Sequence, residues 1–233
     1  MPQVEPTQPQ PGKEGDAKRW RVACHEAAHA LIAVRTPRAV VGPVDLWPNE
    51  KREGGAYVFV TAPDGRDSDA VIVRTVLGDA AISMAGLLVA SDSTGVGVDG
   101  EARVARALGD IARNFPCDPE YDRDIDRLHD LGLTADEYRK VAHYVQDELR
   151  DRWPAVEALA TVAATDLRVP AAKVKQIFEE HGVEVAEGVC FDDDAKQMLK
   201  SEWNRLMEAF RRIEGPGTEP DAQMDSSSDA ESQ

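Results

Sequence analysis

The chain has 233 residues, 42% hydrophobic and 30% charged, enough for one good-sized domain or a domain with a smaller helical appendage. With 43 acidic against 27 basic residues, the formal net charge of −16 excludes a general binder of nucleic acid or anionic membranes, because phosphate groups recruit Lys and Arg. Cys24, Cys117 and Cys190 are widely spaced and form no CxxC pair, so they give neither a disulfide framework nor a cysteine metal site and fit a reducing, cytoplasmic compartment.

Residues 1–15 are rich in Pro and Gln, lack the basic-then-apolar layout of a secretory signal, and are expected to form a disordered arm. Asp16 is a suitable cap for a helix from about Ala17 to Thr36, stopped by Pro37. The β-branched and aromatic stretches 39–47 and 55–61, separated by Pro48 to Gly54, predict two short antiparallel strands. Pro43 places the first at an edge or at a bulge. Ser68 or Asp69 then opens a central helix reaching about Ala90, apolar on nearly every face but too short and broken to span a bilayer.

After the Ser- and Gly-rich turn Ser91 to Gly97, Asp99 opens a polar–apolar helix that ends by Pro116. From Tyr121 onward the pattern stays helical. Thr134 and Glu137 form a capping box for a helix to about Arg152, Pro154 starts the next, and Pro170 starts one ending at His181-Gly182. A last amphipathic helix is expected between Asp193 and Ile213, free to dock on the domain or on a partner. The acidic tail from Glu214 carries no Lys or Arg and is expected to be disordered. The expected organisation is thus an arm (1–15), a mainly α, α+β domain (16–182), a helical appendage (183–213) and a tail (214–233).

Chemistry concentrates in His25-Glu26-Ala27-Ala28-His29, within the first helix. Residues four apart lie one above the other on a helix, so His25 and His29 can offer two imidazole nitrogens to one ion. Glu26 sits about 100° round the helix, where it can take a proton from water activated by that ion. This is the HExxH pattern of zinc peptidases. A catalytic zinc needs a third protein ligand. Asp99 is the first candidate, because it follows a central helix and a Gly-rich turn and opens a helix that would hold it; Glu101 is second and Asp92 third. His129, His143 and His181 stand alone among charged residues and read as surface or boundary positions. Trp20, Trp47, Trp153 and Trp203 read as packing anchors.

The stretch Val22 to Ala33 resembles the peptidase domain of the FtsH-type ATP-dependent zinc proteases, whose HEAGHA helix supplies two histidines and the glutamate. Thr94-Gly95 followed by Asp99 resembles that family's TGASND segment, which implies Asp99 as third ligand. Gly54-Gly55-Ala56-Tyr57-Val58 is similar to its active-site edge strand, Ala85-Gly86-Leu87 to its glycine-containing helix, and Leu167 to Val174 to its closing helix. Ala28 stands where the family has glycine, Cys24 where it has an aromatic residue, and the family's acidic pair is absent around Val89 to Ser91. No GxxxxGK[ST] phosphate loop occurs, so the expectation is a zincin-like helical peptidase domain without its own unfolding motor.

The resemblance implies a soluble zinc endopeptidase with His25, His29 and Asp99 as ligands and Glu26 as general base. Its partners would be a protein or peptide substrate, with a separate ATPase or a second copy of the chain as further possibilities, and no nucleic acid or membrane. Two alternatives stay open: a peptidase-like domain used as a protein-binding or regulatory module, and a different HExxH protease with Glu101 as third ligand. For the strand at Gly54 to Tyr57, pairing with an extended substrate and simple cover of the core stand side by side.

Overall fold

A computed structural model describes residues 14–49, 52–64, 66–89, 100–113 and 122–214. In chain order they form α1 (Glu14–Arg35), β1 (Ala39–Asn49), β2 (Arg52–Val60), α2 (Asp69–Val89), α3 (Gly100–Arg113) and α4 (Asp122–Leu131). Then come α5 (Ala135–Asp166), β3 (Arg168–Val169), α6 (Ala171–Glu180), β4 (Cys190–Phe191) and α7 (Ala195–Glu214). The fold is mainly helical with one small mixed sheet, an α+β arrangement.

Two helices make the centre. In α1, Ala23, Cys24, Ala27, Ala28 and every residue from Ala30 to Val34 are fully buried. In α2, burial is continuous from Asp79 to Val89. The two helices meet closely at glycines of α2: a Cβ at Gly78 would stand 2.6 Å from Thr36 Cγ2, and one at Gly86 2.5 Å from His25 Cε1. Full burial of Leu31 and Ile32 contributes roughly 1.5–3 kcal/mol each, which helps offset the cost of keeping polar side chains on this helix away from water. The 21 residues of α2 are long and apolar enough to cross a bilayer, so the stretch is less broken than its sequence implies; here most of it is buried in protein.

The sheet runs beside α1. β2 and β3 pair antiparallel with β1, and β4 adds a parallel bridge to it. Pro43 falls within the register break between Val41 and Val44, which accommodates its missing N–H. The bulge expectation is met, whereas the edge expectation is not, because β1 lies between β2 and β3. Both faces of β2 are covered: Val58 and Val60 join the main core, while Tyr57 and Phe59 pack with Val40 and Ala195 under α7. The two-residue strands β3 and β4 were not foreseen, since such short bridges leave no periodicity to read.

Thr134 and Glu137 do form the capping box that opens α5. The expected break before Pro154 is present: Arg152 is non-helical (φ −123°, ψ 19°), so α5 is two helical segments that meet at a kink. Pro170 precedes α6 and Gly182 follows it at φ +70°, as the pattern predicts. The last helix docks on its own domain: Leu206, Met207, Ala209 and Phe210 of α7 are buried in the main core. Residues 1–13 and 215–233 lie outside the described residues; Glu14 and Gly15, expected in the arm, open α1, and Glu214, expected in the tail, ends α7.

Candidate metal centre

His25 and His29 both project from α1 toward α2, and both are buried. Backbone carbonyls of α2 hold their outer nitrogens. Nδ1 of His25 lies 3.2 Å from the Gly86 carbonyl oxygen and Nδ1 of His29 lies 2.7 Å from that of Ile82. A carbonyl only accepts, so each Nδ1 carries a hydrogen and donates it. In the neutral rings that leaves the lone pairs on the two Nε2 atoms, which stand 3.0 Å apart with the rings nearly perpendicular, at 88°. Backbone carbonyls thus select the tautomer a metal ligand requires.

A carboxylate from α4 completes the cluster. Oδ2 of Asp124 lies 3.5 Å from Nε2 of His25 and 3.2 Å from Nε2 of His29. The same oxygen is buried, and its polar neighbours are the two histidine nitrogens, with His29 hydrogen-bonded to it when protonated. Ligands about 2.0–2.1 Å from a tetrahedral ion stand roughly 3.3 Å apart, and the three separations here fall on either side of that value. His25, His29 and Asp124 form a cluster that can hold a metal ion, the one such group among the described residues.

The floor of the cluster is Gly86. A Cβ there would stand 2.5 Å from Oδ2 of Asp124 and from Cε1 of His25, and 2.6 Å from Cε1 of His29. The ligands rest directly on this glycine, so no other residue fits without moving them.

Electrostatics divide the two histidines. Burial, and the neighbouring His29, push His25 down to about 4, so it is neutral in ordinary conditions. Burial also works against charge on His29, but the Asp124 carboxylate, its hydrogen bond and Glu26 prevail and raise it to about 9. Asp124 is pulled in two directions as well: burial raises it, and the histidines and Arg127 outweigh that and hold it low.

Without metal at neutral pH, His29 therefore carries a proton that an ion must displace. Metal affinity should rise about tenfold per pH unit between pH 6 and 8 and level off above the His29 value of about 9. Near pH 7 about one proton should be released per metal bound, measurable by titration calorimetry in buffers of different ionisation enthalpy. An affinity independent of pH over this range would contradict that assignment.

Glu26 is buried and faces β2, where the Ala56 N–H donates to its Oε2. Gly54 permits the approach, since a Cβ there would stand 2.7 Å from Val22 Cγ1 and 3.2 Å from Glu26 Cγ. The strand that resembles an active-site edge thus touches the candidate base. Cys24, next to His25, belongs to the core; burial and the nearby Glu157 push its thiol up to about 12, so it offers no thiolate.

Of the residues singled out from sequence, His25, Glu26 and His29 come together. Asp92 and Asp99 lie outside the described residues, and Glu101 falls in the first turn of α3 with its side chain outside the described part. Asp124 was missed. A signal existed: Asp124, Leu128 and Leu131 are spaced i, i+4, i+7, which places a lone carboxylate on the apolar stripe of an otherwise charged helix. His129 and His181 are exposed and His143 half-buried, all outside the cluster. Neither a family model nor a curated protein matches the chain.

Proposed function

We propose that the chain is a zinc-dependent endopeptidase, with His25, His29 and Asp124 as metal ligands and Glu26 as general base. The observation that carries this reading is the convergence of two tautomer-fixed histidine nitrogens and a buried carboxylate oxygen on one point, with a glutamate following the first histidine. Two histidines and one carboxylate are a donor set that zinc and Fe(II) both accept, and the glutamate directly after His25, available as a general base, favours hydrolytic zinc.

Bound there, zinc would polarise the scissile carbonyl and make water nucleophilic at neutral pH. Glu26 removes the proton from the attacking water and returns it to the departing amine. Its burial keeps water from competing, and the Ala56 N–H fixes the direction of one carboxylate oxygen. His25 and His29 stay oriented throughout because their Nδ1 hydrogens remain on the α2 carbonyls. An extended substrate would run beside β2 near Gly54 to Ala56, which favours flexible or unfolded protein segments over folded ones.

The test is cleavage of a permanently unfolded protein by the purified chain. Activity should vanish with a strong chelator and return with about one equivalent of zinc. Cleavage that persists in chelator, or that zinc fails to restore, would overturn the proposal.

A further inference from the structure

Asp79 is fully buried on α2, two turns before Gly86, and takes no part in the metal cluster. A carboxylate held out of water needs a cation with matching geometry. Arg127 supplies it with both sides of its fork: Nε donates to Oδ2 at 2.6 Å and Nη2 donates to Oδ1. The outer face of the guanidinium is covered by Trp203 of α7, with the ring centroid 4.5 Å from Cζ. Three elements therefore meet at one side chain.

Arg127 follows Asp124 by three residues on α4, so the two lie on neighbouring positions of one helical face. Among its described residues, Ile125, Leu128 and Leu131 add apolar contacts, which resist separation more than small slides or rolls, and the Tyr138 hydroxyl of α5 donates to the Leu128 carbonyl near the far end of the helix. A bidentate Arg–carboxylate pair is directional in both respects. Fixing Arg127 to α2 fixes the roll of α4 against the same helix whose carbonyls hold the histidines. Stacking of Trp203 shields the pair and sets the plane of the fork. α7 is itself secured just past the end of β2, where Oε2 of Glu202 accepts the Ala62 N–H at 3.0 Å.

We infer that Asp79, Arg127 and Trp203 form a positioning clamp that sets Asp124 at ligand distance from the histidines, so that the C-terminal helix governs metal affinity. The inference rests on the reading of His25, His29 and Asp124 as ligands. Arg127 and Trp203 are positioning residues, since neither belongs to the ligand set.

The test titrates the full, metal-free chain with Co2+, recording affinity and, at saturation, the visible ligand-field spectrum. Arg127→Lys keeps the charge but loses the fork and the stacking plane. It should weaken Co2+ binding about 10- to 100-fold. Its saturated spectrum should move toward that of Asp124→Ala, as a site losing its carboxylate must. Trp203→Leu leaves the buried pair in place and should produce the same spectral change with a smaller loss of affinity, so it carries the test if Arg127→Lys does not fold. Affinity within about twofold of wild type in the folded variants would overturn the clamp. So would weaker binding with an unchanged spectrum, which marks Arg127 as merely structural. If His25→Ala and Asp124→Ala themselves leave Co2+ binding untouched, it is the ligand assignment that fails.

Discussion

Replacing Glu26 with glutamine should lower cleavage of an unfolded protein by a factor of about 10²–10⁴ while leaving zinc bound. Glutamine has nearly the same shape and keeps a carbonyl oxygen to accept the Ala56 N–H, so β2 and α1 stay in register. What disappears is basicity. A neutral amide cannot take a proton from water or pass one to the leaving amine. Glu26 also contributes to the raised value of His29, so its neutralisation weakens both the competing proton and the field that attracts the dication, and the zinc stays on its three ligands. Zinc content by mass spectrometry and cleavage rate on the same sample separate the two effects. Activity equal to wild type would remove Glu26 from the chemistry.

Gly86→Ala should weaken metal binding by about 100-fold or more with helicity preserved. The two expectations pull in opposite directions, which makes the variant informative. Within a helix, alanine is favoured over glycine by about 0.8–1 kcal/mol, so secondary structure alone predicts a gain. At this position the added Cβ would fall within 2.6 Å of all three ligands, well inside contact distance. The two rings and the carboxylate cannot all retreat and still converge on one ion. Circular dichroism and a zinc competition assay on the same preparation test the claim. Unchanged affinity would mean that the α2 backbone can yield, and that the ligands do not rest on Gly86 as described.

Much of the central architecture can be read from local pattern. The apolar run around His25 and His29 marks α1 as a core helix, the all-round apolar face marks α2, and Thr134 with Glu137 marks the start of α5. Two histidines and a glutamate at HExxH spacing are legible because helical geometry alone brings them together. Gly86, within Ala85-Gly86-Leu87, is where the three side chains of the cluster pack.

The third member of the cluster is of another kind. Asp124 reaches the histidines only because α4 docks on α2, and no local rule connects positions 25 and 124. Sequence spacing favoured Asp99, which follows a plausible turn. Asp124 was hidden within a run of acids, Asp122, Asp124, Asp126 and Asp130, that reads as a solvated face until its apolar neighbours are counted. The pairing of Asp79 with Arg127 was illegible for the same reason, being a long-range match of two charged residues. The break at Arg152 is legible from Pro154, whereas the central place of β1 shows tertiary packing overriding what Pro43 suggests when read alone.

The most direct measurement is the metal stoichiometry of the full chain beside its Asp124→Ala and Asp99→Ala variants, each exposed to one equivalent of zinc and then dialysed. The account predicts about one zinc per chain in the wild type and in Asp99→Ala, and none retained by Asp124→Ala. A wild type that holds no zinc, or an Asp99→Ala variant that loses zinc while Asp124→Ala keeps it, would contradict it.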